Sequence, residues 1–335
     1  DPKFLYRLGA VRPGTHPPDA PNAAFHEEIY RWFDYGGNSV VAAGGKLAVV
    51  ENRRPPAHLL GLGPDAGEWR NLLVAYDAAS GKTLWGWDKF PFGVPADAGE
   101  GEGERRREDY ENHARAVFLG PGVAWGGRLY TLVNESGRDA AVSLWAFDLR
   151  DGSVAFRTPI HYPDETRSRL PSDACIAAAG GTVYALTHSG IVAAIDARPP
   201  GRVRWIRRYT RGFAGSGEER AVEQSFAIND PVVTGGKLLV AAADAREVFA
   251  LDAETGALLW SVDRSKDLGG VAHVVGVSQG TLVLAGTKLV GLDVDRGTKR
   301  WNPVALRGVP DGRGFVGERC AYVPAARTAP GRAEV

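Results

Sequence analysis

The stretch Ala75-Tyr-Asp77-Ala-Ala-Ser-Gly81-Lys-Thr-Leu-Trp85 decides the fold, because its spacing returns along the chain. It defines a frame: a small residue, Asp two positions later, Gly four after that, and an aromatic residue four further on. The other copies are Ala146, Asp148, Gly152 and Phe156; Ala194, Asp196, Gly201 and Trp205 (with one extra residue in a Pro-containing turn); Ala250, Asp252, Gly256 and Trp260; and Gly291, Asp293, Gly297 and Trp301. Five copies in register indicate a repeat protein.

The spacing inside each frame is typical of a turn between two strands. The Asp carboxylate can accept nearby backbone N–H groups, and Gly adopts positive φ without a steric penalty. The residues after Gly alternate in polarity as they do in a strand. A large aromatic residue at one fixed place in each repeat is expected to pack between that repeat and the next, because a small sheet cannot bury its own faces.

A second periodic signal precedes each frame. Pairs of turn residues interrupt apolar runs at Gly44-Gly45, Gly126-Gly127, Gly180-Gly181, Gly235-Gly236, Gln279-Gly280 and Gly317-Glu318. Each pair predicts a β-hairpin. A full repeat therefore contains four antiparallel strands, which is the pattern of a β-propeller blade.

The predicted organisation is a single all-β propeller domain over residues 1–335. An irregular N-terminal segment covers 1–38, the blades cover 39–324, and a tail covers 325–335. The five complete repeats span about 39–88, 117–160, 174–209, 226–263 and 272–302, and a sixth begins at Gly312 with two strands. The N-terminal segment, with its apolar run at residues 4–8, is expected to return to the last blade. The alternative is a longer natural protein in which another segment closes the ring.

Composition narrows the classes of partner. Forty Lys and Arg balance forty Asp and Glu, which argues against nucleic acid or an anionic membrane surface as partner. No apolar run is long enough for a membrane-spanning helix. The absence of Met suggests a processed or trimmed product. Cys175 and Cys320 are predicted to be buried thiols, three blades apart and so too distant to bond.

The five frames resemble the tryptophan-docking repeat of PQQ-like, quinoprotein-type propellers. The chain is most similar to the BamB-like branch of outer-membrane assembly factors, and the resemblance covers roughly residues 39–324. It implies four-stranded blades in a ring of roughly six to eight, and export from the bacterial cytoplasm. It does not imply one activity, since the resemblance extends to dehydrogenases, assembly scaffolds and sensor ectodomains.

Residues for catalysis are not evident in the sequence. The dehydrogenases that these repeats resemble carry an adjacent Cys-Cys pair and a calcium site, whereas this chain has no adjacent cysteines and no loop dense in Asp and Asn. The pattern from Gly312 to Gly317 matches a dinucleotide-binding motif, but it enters a predicted hairpin rather than a helix. Seven histidines show no metal-ligand spacing. No catalytic, cofactor-binding or metal-binding residue is predicted, and no cofactor.

The predicted function is a non-catalytic scaffold that binds another protein in a periplasmic or otherwise extracytoplasmic bacterial complex. Membrane association would come through a partner or a removed lipid anchor. The alternatives are a PQQ-dependent oxidoreductase and a ligand-sensing ectodomain. Residues 96–115 are expected to form a mobile loop because they offer almost nothing to bury. Five tryptophans fall outside the frame, namely Trp32, Trp69, Trp87, Trp125 and Trp145, and Trp69 is the preferred candidate for a partner contact.

Overall fold

The computed structural model describes fifteen stretches of the chain: 40–53, 70–86, 116–120, 122–135, 141–161, 175–187, 189–211, 229–242, 244–264, 266–268, 271–286, 288–306, 309–310, 314–318 and 320–326. Every regular element in these stretches is a β-strand, so the all-β prediction is confirmed. Within them, no helix has the length and apolar character needed to cross a membrane. The chain divides into two compact units, Asp1–Asp173 and Ala174–Val335, which are described separately.

The first unit contains two antiparallel blades. Blade 1 consists of β1 (Val40–Ala43), β2 (Lys46–Arg53), β3 (Arg70–Asp77) and β4 (Thr83–Gly86). Blade 2 consists of β5 (Ala116–Phe118), β6 (Val123–Trp125), β7 (Arg128–Glu135), β8 (Ala141–Asp148) and β9 (Val154–His161). Both β5 and β6 pair with β7, so together they act as one interrupted first strand.

The second unit contains three complete blades in chain order. Blade 3 consists of β10 (Cys175–Ala179), β11 (Thr182–Leu186), β12 (Ile191–Asp196) and β13 (Val203–Arg208). Blade 4 consists of β14 (Val232–Thr234), β15 (Lys237–Val240), β16 (Glu247–Asp252) and β17 (Leu258–Asp263). Blade 5 consists of β18 (Val271–Ser278), β19 (Thr281–Gly286), β20 (Lys288–Asp293) and β21 (Val304–Ala305).

A partial sixth repeat follows, as the sequence predicts. It consists of β22 (Val309–Pro310), β23 (Phe315–Val316), β24 (Ala321–Tyr322) and β25 (Ala325–Ala326). Because β22 pairs with β25 and β23 pairs with β24, the four short strands form one interrupted hairpin, which we refer to as the last hairpin. The blade region thus reaches Ala326, two residues into the segment that the sequence assigns to the tail.

The turns that join the first and second strands of a blade have positive φ at both turn residues. Gly44 and Gly45 have φ of 56° and 72°, and Gln279 and Gly280 have φ of 48° and 69°. Positive φ at both central positions is the requirement of a type I′ hairpin turn. The last hairpin differs from the prediction, because Val316 pairs with Ala321 and the turn therefore covers four residues, 317–320, rather than the pair Gly317-Glu318.

The frame turns have the predicted geometry. The N–H of Gly81 donates to the carbonyl oxygen of Asp77 at 2.8 Å, and the Asp77 carboxylate accepts from the backbone N–H of Ser80 at 2.7 Å. Equivalent Gly-to-Asp backbone bonds recur at Gly152, Gly256 and Gly297. In four blades the small residue lies directly opposite the aromatic residue: Ala75 and Trp85, Ala146 and Phe156, Ala194 and Trp205, and Ala250 and Trp260.

The hydrophobic core lies between neighbouring blades. In the first unit, Leu73 of blade 1 and Phe147 of blade 2 belong to one buried cluster. In the second unit, Val192 of blade 3 and Phe249 of blade 4 belong to another, and blades 4 and 5 share a third. Burial between sheets rather than within one sheet explains why a single repeat cannot be stable alone.

Candidate interaction surface

Three frame tryptophans pack onto the next blade of their own compact unit, as the sequence predicts. The rings of Trp85, Trp205 and Trp260 cover Gly152, Gly256 and Gly297, where an added Cβ would lie 2.7, 2.7 and 2.6 Å from the nearest ring atom. Each indole Nε1–H also donates to a backbone carbonyl of that blade, at Leu149 (3.1 Å), Ala253 (3.2 Å) and Val294 (2.9 Å). Only glycine leaves room for this approach, so frame Gly and frame Trp form one interlocking contact.

The fifth frame does not make this contact. Trp301 is 37% exposed, and its ring lies over Gly291 of its own blade, where an added Cβ would overlap with the ring. The expectation that every frame aromatic packs against the next repeat is therefore wrong for Trp301. Among the described residues, no frame glycine of a following blade lies against this ring, and Gly291 leaves room for it on its own blade.

The last hairpin has one buried face and one exposed face. Val316, Ala321 and Val323 pack against a buried cluster of blade 5. Ser278 Oγ and Gln279 Nε2 donate to the carbonyl oxygen of Glu318 at 3.3 and 3.2 Å, which ties the turn to blade 5.

Two aromatic side chains occupy the exposed face. Phe315 and Tyr322 are stacked with ring centroids 4.7 Å apart, and they are 61% and 53% exposed. We refer to Trp301, Phe315 and Tyr322 as the open end of the second unit. The stacked Phe315–Tyr322 pair is a candidate surface for protein binding, and Trp301 is a further accessible aromatic residue of the same compact unit.

A polar cluster between blades 3 and 4 has a structural role. Asp244 accepts hydrogen bonds from the Tyr209 hydroxyl and from the Gly190 N–H at 3.1 Å, and forms an ion pair with Arg211 at 3.0 Å. Burial, followed by the negative charge of Asp244, raises the pKa of Tyr209 well above its usual value. The Asp244 carboxylate is therefore already engaged by three groups of the fold.

A buried guanidinium supports the same loop of blade 4. Arg264 is 8% exposed, and its Nη1 donates to the carbonyl oxygens of Ala242 at 2.7 Å and Ala245 at 3.3 Å. A buried charge is costly unless it is paired or hydrogen-bonded, and these bonds hold the 242–245 turn. The cluster thus explains how blades 3 and 4 are joined rather than suggesting acid–base chemistry.

The non-frame tryptophans divide into described and undescribed positions. Trp145 is 1% exposed, donates its Nε1–H to Glu135 at 2.7 Å, and lies 4.0 Å below the guanidinium of Arg157. Trp125 is 37% exposed at the turn of a hairpin. Trp32, Trp69 and Trp87 lie outside the described residues, as do residues 4–8 and 96–115. The preferred candidate for a partner contact, Trp69, is therefore not placed.

The two cysteines differ in their exposure to solvent. Cys175 is buried in β10, as predicted, whereas Cys320 is exposed, so the prediction of burial is wrong for it. Cys320 lies in the turn of the last hairpin, where no further strand covers it among the described residues. The signal that could have shown this is the missing frame after residue 320.

Within the described stretches, no group of residues fits a quinone with its calcium ion. The two cysteines are far apart in sequence, so they cannot form an adjacent pair. In the fifteen described stretches, no three His, Cys, Asp or Glu side chains converge as metal ligands would. The frame carboxylates serve their own turns: the Arg150 side chain and backbone N–H lower the pKa of Asp148 to about 2. The glycine pattern 314–317 enters β23 and a hairpin, as predicted, rather than a helix.

Three solved structures illustrate the matches that a structural comparison finds for this chain. BamB from Moraxella catarrhalis is 17% identical with a TM-score of 0.48, and the match covers 81% of this chain and 65% of that protein. The quinohemoprotein alcohol dehydrogenase ADHIIG from Pseudomonas putida HK5 is 13% identical with a TM-score of 0.48, covering 80% and 41%. The quinohemoprotein alcohol dehydrogenase from Comamonas testosteroni is 13% identical with a TM-score of 0.49, and the match covers 82% of this chain and 53% of that protein. This chain therefore spans less than two thirds of each of these proteins.

Sequence comparison identifies the family. No curated protein sequence matches the chain. The profile of the family described as "Outer membrane protein assembly factor BamB" matches residues 36–225 and residues 143–308. Since these two matches cover well over half of the chain, the protein belongs to this family of PQQ-like repeat β-propellers.

Proposed function

We propose that this protein is a non-catalytic scaffold that binds another protein in an extracytoplasmic bacterial complex. Membership of the family of outer membrane protein assembly factors supports a role in such a complex. In this proposal the chain acts in the periplasm, and any membrane association comes through a partner or a lipid anchor removed from the chain. Its fold supplies a rigid set of blades, and its function lies on the surfaces that the blades expose.

The observation that carries the proposal is the exposure of the stacked Phe315–Tyr322 pair. Side chains of this size are normally covered in the core, and exposed aromatic residues are enriched where proteins bind one another. Phe315 is 61% exposed and Tyr322 is 53% exposed. The balanced charge of the chain favours a protein surface over a polyanion as the partner.

The described polar groups do not favour the two alternatives. Asp244, Arg264 and the frame aspartates hydrogen-bond to the fold itself, so these described side chains are already occupied. No specific observation in the described stretches favours a quinone-dependent oxidoreductase or a ligand-sensing ectodomain. We propose no catalytic residue and no cofactor.

The test is affinity purification of the tagged chain from the envelope fraction of its native bacterium. We expect a stoichiometric protein partner that is retained by the wild-type chain and lost when Phe315 and Tyr322 are both replaced by Ser. The matched control replaces Leu258 and Leu259 by Ser. These residues are also exposed, at 47% and 46%, but they lie on the outer strand of blade 4. The control variant should keep the partner.

Two results would overturn the scaffold proposal. One is a chain that purifies without any stoichiometric protein from the envelope. The other is dye-linked oxidation of an alcohol or sugar, after addition of pyrroloquinoline quinone and Ca²⁺, with turnover above about 1 s⁻¹, the lower end of ordinary enzyme rates.

A further inference from the structure

The first strand of blade 5, β18, departs from the repeat, and its departures contact the last hairpin. We propose that β18 is specialised to hold this hairpin, and that Gln279 is the positioning residue that keeps the stacked Phe315–Tyr322 pair in place for partner binding. The role in partner binding rests on the proposed scaffold function, whereas the docking of the hairpin concerns this chain alone. Three departures of β18 and its turn support both.

The first departure is the residue type at the turn that follows β18. In blades 1 to 4 the first turn residue is Gly with φ between 53° and 56°, and open space surrounds an added Cβ. Blade 5 has Gln279 there with φ of 48°, and within the described stretches it is the one non-glycine residue with positive φ. A side chain at positive φ costs free energy that glycine avoids. The turn itself therefore does not explain the glutamine. The four glycines are Gly44, Gly126, Gly180 and Gly235.

The side chain of Gln279 contacts the tip of the last hairpin. Its Nε2 donates to the carbonyl oxygen of Glu318 at 3.2 Å, and Oγ of the neighbouring Ser278 donates to the same oxygen at 3.3 Å. Glu318 lies in the four-residue turn, which is closed by a bond from the N–H of Gly317 to the carbonyl oxygen of Cys320 at 2.7 Å. Two side chains of blade 5 therefore hold the turn of the hairpin through one carbonyl oxygen.

The second departure is a glycine inside β18. Gly276 pairs with Val283, and an added Cβ at Gly276 would lie 3.0 Å from Cγ2 and 3.2 Å from Cβ of Val316. In the other first strands, the residue at the same place in the register carries a side chain. The absence of a side chain at this position therefore makes room for Val316 of the hairpin. The equivalent residues in blades 1 to 4 are Val41, Val123, Ala177 and Val232.

The third departure is a β-bulge in the same strand. The register of β18 against β19 shifts between Val274 and Gly276, so Val275 is an extra residue, whereas β1, β10 and β14 pair with their second strands without a shift. A bulge redirects the side chains around it. Val275 is buried in the cluster of blade 5 against which Ala321 and Val323 of the hairpin pack. The bulge therefore lies at the apolar part of the same contact.

The last hairpin depends on these contacts for its position. Its strands contain two residues each, and within the described stretches they pair with each other rather than with the sheet of blade 5. A two-stranded hairpin is at best marginally stable by itself. Docking on β18 therefore determines where the Phe315–Tyr322 pair lies. A fixed position lowers the entropic cost of ordering these side chains when a partner binds.

Gln279→Gly tests the contact, because it restores the residue that the other four blades carry. Hydrogen–deuterium exchange of the full chain, followed by mass spectrometry, should show the amides of residues 315–323 exchanging about tenfold faster than in the wild type, since local opening of the hairpin becomes easier. The amides of residues 281–293, in β19 and β20, should keep their wild-type rates. The melting temperature should not fall, because glycine removes the cost of positive φ.

Two further variants separate the contact from the turn. Ser278→Ala removes the second donor and should raise the same exchange rates by a smaller factor. The matched control is Gly235→Gln, which places a glutamine at φ of 53° in blade 4, where open space surrounds the added Cβ. This control should leave the exchange of residues 315–323 unchanged and should lower the melting temperature, because the backbone cost is added without a contact.

Two results overturn the proposed docking role. One is exchange of residues 315–323 in Gln279→Gly that stays within about twofold of the wild type, which would mean that the side chain does not hold the hairpin. The other is an equal rise in exchange over residues 281–293, which would mean that Gln279 supports the turn of blade 5 instead.

Envelope purification of the Gln279→Gly chain separates this docking role from the scaffold proposal. Phe315 and Tyr322 are intact in this variant, so faster exchange together with weaker retention of the partner supports both. Faster exchange with full retention leaves the docking of the hairpin standing and overturns its role in partner binding. If the wild-type chain retains no partner, the scaffold proposal fails, and the exchange result still decides whether Gln279 holds the hairpin.

Discussion

Trp260 and Trp301 occupy the same position of the same frame, yet their surroundings differ. Trp260 is 8% exposed, covers Gly297 of the next blade, and donates its Nε1–H to Val294. Trp301 is 37% exposed and lies over Gly291 of its own blade. The frame therefore sets the position of the tryptophan in its blade, and the glycine turn of the next blade determines whether the indole is buried.

The strongest test of this comparison is truncation of the two tryptophans. Trp260→Ala should lower the free energy of unfolding by about 3–5 kcal/mol, as is usual when a buried aromatic side chain is removed. Trp301→Ala should cost no more than about 1–2 kcal/mol, because much of its indole is already in contact with water. Urea denaturation of both variants measures the difference. Equal losses would mean that the interlocking contact adds nothing.

The glycine side of the contact gives a second test. Gly297→Ala should cost about 2–4 kcal/mol, because the new Cβ meets the ring of Trp260 and the backbone has φ of +70°. Gly81→Ala is the matched control: its φ is +68°, but open space surrounds the added Cβ, so only the backbone cost of about 1–2 kcal/mol remains. If both variants lose the same free energy of unfolding, the ring does not restrict position 297.

Removal of either of two tyrosine hydroxyls should change the free energy of unfolding less than Gly297→Ala does. Tyr209→Phe removes a donor from the Asp244 carboxylate, which is 12% exposed, and should cost about 1–2 kcal/mol. Tyr322→Phe removes an exposed hydroxyl at the open end and should stay within about 0.5 kcal/mol of wild type. Chemical denaturation of the pair would contradict the assignment if the second change cost more than the first.

The smallest expected effect is on acid stability. Hydrogen bonds from Arg150 lower the pKa of Asp148 from 3.8 to about 2, and a hydrogen bond from Thr255 lowers the pKa of Asp252. A carboxyl group with a lowered folded-state pKa stabilises the protein above its unfolded pKa, and this contribution is lost as the pH falls through the folded value. The melting temperature should therefore fall between about pH 4 and pH 2.

The matched variant for this test is Asp148→Asn, which cannot titrate. Its melting temperature should depend less on pH in the same window, and it should come close to that of the wild type only below about pH 2, where Asp148 is protonated in the folded protein as well. An unchanged slope in the Asn variant would show that Asp148 does not contribute to the acid dependence.

The repeat could be predicted from the sequence because each turn needs particular residues. Positive φ at Gly44 and Gly45, and the backbone bond from Gly81 to Asp77, follow from residue type and spacing alone. The glycine partners of Trp85, Trp205 and Trp260 also follow, once one repeat is assumed to pack on the next. These features are local or recur at a fixed interval, so they can be predicted from the spacing of residues in the sequence.

The open end could be predicted only in part. The sequence shows no sixth frame between residue 302 and residue 335, but the exposure of Phe315 and Tyr322 depends on which face of the last hairpin packs against blade 5. The four-residue turn at 317–320 also changes the register near Cys320. The Asp244 cluster joins Gly190, Tyr209 and Arg211 from separate turns and strand ends, and no sequence spacing indicates that contact.

Gly291 has a consequence for modular engineering with these repeats. It is the one frame position among the five where Gly replaces Ala, and a methyl group there would overlap with the indole of Trp301. In an array of concatenated copies of blade 4, Ala would stand at every such position, and each indole would pack on the frame glycine of the following copy. In an array of blade 5 copies, Gly would stand there, and each indole could pack on its own blade instead. Blade 4 is therefore the better template for a consensus propeller, and blade 5 is suited to be its terminal cap.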